Sequence, residues 1–152
     1  SKLKVKLDAS AWKLLETEYP DNYFQVIPFD LGGNNDEEYI VEGTSPSGGR
    51  NFYFLQKKKN KWKVILVITG GFTIGVIDDA NLNKKVDKSY YQITNWTRIG
   101  FDQTYQTQYV FVNGEYREAS KQVIPLALLH RKDFIKLMLE LNGFENGRGN
   151  WN

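Results

Sequence analysis

The chain contains no cysteine, one histidine and one methionine. Without cysteine there is no disulfide framework and no thiolate to act as nucleophile or metal ligand. The single imidazole, His130, sits in Leu128–Asp133 beside a polar break, where a lone histidine reads as a surface or boundary residue of a helix. Long apolar runs are also missing. The longest, Val64–Ile68, is strand-length and far short of the ~18–20 residues of a membrane span. Charge of one sign is missing as well: 20 basic groups face 18 acidic ones, a net +2. Nucleic-acid binding needs a concentrated basic face, and the densest basic run, Lys57–Lys59 with Lys61 and Lys63, falls at a predicted hairpin turn as a solvated tip. Nucleophile-elbow, phosphate-loop, zinc-helix and dinucleotide-binding patterns do not occur.

What remains is an ordinary globular composition with many aromatic rings. Hydrophobic residues make up 41%, charged residues 25% and aromatics 14% of 152 residues, a length that suits one domain, 1–152. Nine Tyr, nine Phe and four Trp favour strands, because flat rings pack well on a pleated, half-buried surface. A helix is predicted within 8–19, capped by Asp8 or Ser10, with Trp12 and Leu15 on its apolar face and Pro20 blocking continuation. Strands are predicted at Tyr23–Phe29, Tyr39–Val41, Asn51–Leu55, Trp62–Ile68, Phe72–Ile77, Tyr90–Thr94, Tyr105–Val112 and Glu115–Arg117. Asn113-Gly114 is the strongest hairpin signal, since both central residues of a type I′ turn need positive φ. From Pro125 apolar residues recur at three- and four-residue steps, which predicts a second helix over 125–143 and a loose tail over 144–152.

The strands fall into two similar series, 23–69 and 71–117. Each runs from an acidic turn to a short strand, a polar loop, an aromatic strand and a tight turn, ending in Lys61-Trp62-Lys63 or Glu115-Tyr116-Arg117. Neither series is large enough to bury its own apolar face. The expected fold is α+β, mostly β: two antiparallel β-meanders packed as a small sandwich or barrel-like body, with an N-terminal and a C-terminal helix.

Residues 30–38, DLGGNNDEE, pose the sharpest chemical question. A calcium loop places oxygen ligands on alternate residues of a tight turn, with glycine where the backbone bends sharply. Asp30 takes the first position, Asn34 a later one, and Asp36, Glu37 and Glu38 supply late acids, while Gly32 and Asn35 depart from the pattern. Phe29–Val41, followed by Gly43, an aromatic strand and Trp62-Lys63, resembles an FG-GAP or VCBS-type repeat. Tyr90–Ile93 and Tyr109–Tyr116 are similar to the second meander that follows such a repeat in small exported bacterial proteins. The resemblance spans about residues 23–117 and implies blade-like meanders whose acidic loop holds calcium, here on Asp30, Asn34 and Glu38. A complete propeller is out of reach, because it needs about four or more blades. A structural turn without the ion stands beside the calcium reading, and no other cofactor is expected.

The carboxylate groups, Asp78-Asp79, Asp36–Glu38 and Glu16/Glu18, read as solvated turn or helix acids rather than a dyad held across a cleft. Aromatic and polar residues crowd Asn95–Thr107, and from this region Tyr91, Trp96, Arg98, Phe101 and Tyr105 are the candidate partner-binding residues. Tyr, Trp and Arg combine large area with a polar handle, which is what interface hot spots use. The expected function is non-catalytic protein recognition outside the cytoplasm, in the periplasm or after secretion, as an inhibitor or immunity-type protein against a secreted hydrolase or toxin. The chain opens at Ser1 rather than Met, which either a removed export leader or a trimmed sequence would give. A calcium-stabilised adhesion module and an enzyme with a spatial carboxylate site are the two alternatives.

Overall fold

The computed structural model describes residues 7–19, 21–33, 36–46, 48–100 and 102–125. The chain divides into two compact units, residues 1–69 and 70–152. Each contains a four-stranded antiparallel sheet whose strands lie side by side in chain order. That is the meander arrangement expected from the repeated series.

In the first unit α1 (Ala9–Glu18) is capped by Asp8, not Ser10: Asp8 Oδ1 accepts the Ala11 N–H at 3.0 Å. The same carboxylate accepts the indole N–H of Trp62 at 2.9 Å and lies 3.2 Å from Lys57 Nζ, tying the helix start to the sheet. These donors, led by the Ser10 hydroxyl, hold the Asp8 carboxyl well below the ordinary carboxylate range. At the other end the Tyr23 hydroxyl donates to the carbonyls of Leu15 and Tyr19. Ala11, Trp12 and Leu15 share one helical face and pack with Val26, Val41, Tyr53 and Leu55.

The strands are β1 (Asn22–Pro28), β2 (Glu37–Thr44), β3 (Arg50–Lys58) and β4 (Lys61–Thr69). Pro28 ends β1, where no ladder donor is required. The second face of this sheet is apolar too. Ile27, Ile40, Phe54 and Leu66 stand directly across from one another, and Phe52 and Ile68 lie in the next row. All six are buried, which explains the unbroken apolar run Phe52–Leu55: both faces of β3 are covered.

The second unit holds β5 (Gly71–Gly75), β6 (Gln92–Arg98), β7 (Gln103–Val112) and β8 (Glu115–Pro125). The 76–91 connection carries a 3-10 turn at Asp79–Asn81. It docks its end on β7 and β8: Tyr90 stacks on Phe111 at 3.6 Å, Tyr116 meets Phe111 edge-on at 5.2 Å, and Val86 bridges Val112. Gly70 adopts φ +90°, and a β-carbon there would meet the Trp96 carbonyl oxygen at 2.4 Å, so this approach admits only glycine.

Four expectations change. Each sheet is open, since its first and last strands do not pair, and no barrel closes; four strands are fewer than the about five to eight from which small barrels form. The polar loop expected between Thr94 and Tyr105 narrows to 99–102, because β6 runs on to Arg98 and β7 begins at Gln103. The second meander runs to Pro125, not 117, because Arg117–Val123 is exposed strand and lacks apolar alternation. Pro125 therefore ends β8 instead of opening a helix; the rest of the predicted helix 125–143, the tail 144–152 and His130 lie outside the described residues.

The two hairpins match residue for residue. Both turns use left-handed pairs, Lys59-Asn60 (φ 52° and 62°) and Asn113-Gly114 (φ 51° and 85°), as type I′ turns require. In each, the register slips by one residue after the fourth pair from the turn, leaving Ile65 and Ala119 as the extra residues. Counting from the turns makes Ile27 equivalent to Thr73, Ile40 to Thr94, Phe52 to Gln106, Phe54 to Gln108, Leu66 to Ser120 and Ile68 to Gln122.

Candidate recognition surface

That equivalence defines the candidate site. Six positions that are apolar and buried in the first sheet carry hydroxyls or primary amides in the second. The first row of this face is Thr73–Thr94–Gln108–Ser120, and the next is Gly71–Trp96–Gln106–Gln122. Thr73 and Thr94 are buried, Trp96, Gln106 and Gln108 are half-buried, and Ser120 and Gln122 are exposed.

Hydrogen bonds fix the inner row. Gln108 Oε1 accepts from Asn81 Nδ2 at 2.8 Å and from the Ser120 hydroxyl at 2.9 Å, while its Nε2 donates to Asp78 Oδ2 at 2.8 Å. Gln92 Oε1 accepts from Asn81 Nδ2 at 2.8 Å and from the Asp78 N–H at 3.1 Å. Thr73 Oγ1 is the exception, the only buried side-chain polar atom among the described residues without a partner. In the outer row the Trp96 indole N–H donates to Gln106 Oε1 at 3.0 Å, which orients the ring on the sheet. Across from it Gly71 has no side chain, and a β-carbon there would meet nothing within 4 Å. Among the described residues, space is thus open on this face opposite Trp96, whose indole lies in a row of neutral hydrogen-bonding groups.

Of the candidate partner-binding residues, Trp96 and Arg98 share this face, Arg98 donating from Nε to the Gly100 carbonyl at 3.0 Å. Tyr105 lies on the opposite face, with Lys121 Nζ 4.1 Å from its ring centroid. Tyr91 is exposed ahead of β6, its carbonyl accepting from the Tyr116 hydroxyl at 2.9 Å, and Phe101 lies outside the described residues. The five residues therefore do not form one patch. Ser120 and Gln122 were not nominated from the sequence. Counting back from Asn113-Gly114 without the slip at Ala119 puts Ala119, not Ser120, opposite Gln108, and a one-residue error moves side chains to the wrong face.

In the acidic loop, Asp30 Oδ1 accepts the Gly32 N–H at 2.9 Å. Glu38 is buried at the start of β2; its Oε1 accepts the Leu31 N–H at 2.8 Å and its Oε2 accepts from Gln56 Nε2 at 3.1 Å. Both carboxylates thus bind donors within their own unit. Asn34 lies outside the described residues, and no three His, Cys, Asp or Glu side chains are grouped for a metal among the described ones. Desolvation pushes the Glu38 carboxyl up to about 7, the Leu31 and Gln56 hydrogen bonds pull it back, and Asp30 and Asp36 add to the rise.

An open depression of about 510 Å³ beside α1 is lined by Leu7, Ala9, Trp12, Lys13, Glu16 and Thr17. Its lining brings in a single carboxyl, so it offers no two-carboxyl arrangement. Asp78 accepts from Gln108, and its neighbour Asp79 opens the 3-10 turn. No family model, no curated protein and no solved structure matches this chain.

Proposed function

We propose that the chain is a non-catalytic recognition protein that binds another protein through the polar face of β6–β8. One observation carries this reading: all six apolar core positions of the first sheet's second face are amides or hydroxyls at the equivalent places of the second. A sheet that needed only to be buried would keep its apolar row, as the first one does. Amides and hydroxyls beside a half-exposed indole supply adaptable hydrogen bonding around an aromatic anchor, the chemistry of protein-binding surfaces. Arg98 adds a charge at the end of the same face.

The free side of β8 is the less suitable route. β8 carries the register slip at Ala119 and the charges Arg117, Glu118 and Lys121, devices that blunt a sheet edge against strand addition. Action as an inhibitor or immunity-type protein on a secreted hydrolase or toxin is the form of this reading that we favour, since blocking a partner requires only a surface. The order acidic loop, short strand, aromatic strand, within four-stranded meanders, supports an FG-GAP-like origin of each unit. The test is quantitative capture with immobilised protein. Wild type should retain one partner stoichiometrically, and Trp96→Ala with Gln122→Ala should weaken that partner at least tenfold while thermal stability holds. Equal retention by both proteins refutes the assignment to this face.

A further inference from the structure

We propose that the hairpin tip Lys57–Lys63 is a contact site for anionic phospholipid, holding the protein reversibly on a negatively charged bilayer surface. The inference starts from the two matching turns. Lys58 is equivalent by register to Val112, Lys59 to Asn113, Asn60 to Gly114, Lys61 to Glu115 and Lys63 to Arg117. The second tip follows the local rules of hairpin stability. Its left-handed pair is Asn-Gly, Val112 stands across from Glu115, and Glu115 Oε1 lies 3.0 Å from Arg117 Nη2.

The first tip departs from each of those rules. Lys59 holds a left-handed backbone, φ 52°, which a lysine adopts less readily than the asparagine of the second tip. Lys58 stands directly across from Lys61, and like charges so placed destabilise a strand pair. Lys58, Lys59 and Lys61 are exposed, and no ion pair among the described residues includes them. Lys57, by contrast, is drawn back to Asp8 at 3.2 Å. A turn shaped by stability alone would carry residues like those of the second tip. Gathering unpaired cations at the expense of stability fits a surface whose purpose is its charge.

The same side chains indicate the chemistry of the partner. Trp62 is the one aromatic residue of the tip, and it is engaged within its own unit: its indole N–H donates to Asp8 at 2.9 Å and its ring lies 5.7 Å from Tyr39. Lys58 and Lys61 project from the other face of the hairpin, by strand alternation. Lysine is depleted in protein–protein interfaces, whose anchors are Trp, Tyr and Arg. Its ammonium is a mobile, hydrated point charge that responds to charge density rather than to a planar acceptor. Anionic headgroups offer that density without demanding a register, and a narrow two-stranded tip can approach them end-on. Each lysine brought to such a surface strengthens binding about fivefold, so Lys58, Lys59 and Lys61 together supply on the order of a hundredfold.

Vesicle sedimentation with the whole chain tests this. Wild type should bind vesicles of equal parts phosphatidylglycerol and phosphatidylcholine, ignore phosphatidylcholine alone, and be released by about 0.5 M salt, which screens exposed charges. Lys58→Gln/Lys59→Asn/Lys61→Gln should weaken binding on the order of a hundredfold while its urea midpoint holds or rises. Lys84→Gln/Lys85→Gln/Lys88→Gln removes the same charge from exposed sites of the second unit and should weaken binding less than about fivefold. Acetylation of the wild type locates the contact without a variant: anionic vesicles should slow modification of Lys59 and Lys61 relative to Lys84 and Lys85. Absence of binding to the anionic vesicles overturns the proposal, as does equal weakening by both triple variants. Binding to a DNA duplex but not to the vesicles overturns it too, and assigns the tip to nucleic acid.

Discussion

Phe54→Gln places in the first sheet the residue that the second sheet carries at the equivalent position, Gln108. Phe54 is 0% exposed and stands between Ile40 and Leu66, so the change removes a fully buried ring from an apolar row. Truncating a buried Phe to Ala costs about 3–5 kcal/mol, and the glutamine stem restores part of that contact. Its amide, however, enters without the partners that Gln108 has in Asn81, Ser120 and Asp78. Leaving such a group unsatisfied costs about 1–3 kcal/mol more. The sum is a loss of roughly 4 kcal/mol, a large share of the 5–15 kcal/mol that holds a typical domain together. Urea unfolding followed by far-UV circular dichroism measures it. With a slope of about 2 kcal/mol per molar, the midpoint should fall by roughly 2 M. A fall below about 0.5 M at unchanged slope refutes the claim that this face is a tightly packed core in the first unit and a polar face only in the second.

Three further outcomes follow from the same geometry. Thr73→Val removes the one unpartnered buried hydroxyl and keeps the shape, so stability should rise by about 1 kcal/mol; a loss would mean that the hydroxyl has a partner in solution. Replacing Lys59-Asn60 with the Asn-Gly of the second hairpin relieves two left-handed residues, one of them a lysine, and should raise the urea midpoint by the equivalent of about 1 kcal/mol. Thermal melts with excess calcium and with EDTA should coincide, because Asp30 and Glu38 bind loop N–H groups. A shift of several degrees, as an ion at a hundred times its Kd would give through about 2.7 kcal/mol, and its loss in Asp30→Ala, would make residues 30–38 a cation site.

Much of the meander architecture was legible because it rests on local rules. Asn113-Gly114 announces its own turn, and the helix start is legible from Asp8 and Ser10, of which the structure uses Asp8. Apolar strands such as Phe52–Leu55 are visible as runs. The candidate face was less legible for two reasons. β8 is exposed over Arg117–Val123, so no alternation marks it as a strand. The slip at Ala119 also changes which of its side chains join Trp96. The equivalence of Glu38 and Gln92 was hidden in the same way, since only the registers of both sheets show it. Aromatic crowding in the sequence overstated a single patch, because Trp96 and Tyr105 are separated by the alternation of paired strands.

The central claim is that the polar face of β6–β8 engages another protein. Calorimetric titration of the captured partner into wild type and into Trp96→Ala/Gln122→Ala, with Val76→Ala as a control at an 80% exposed site outside the strands, tests it most directly. The account predicts one-to-one binding by wild type and the control, weakened at least tenfold in the double variant. Equal affinity for all three proteins would contradict it.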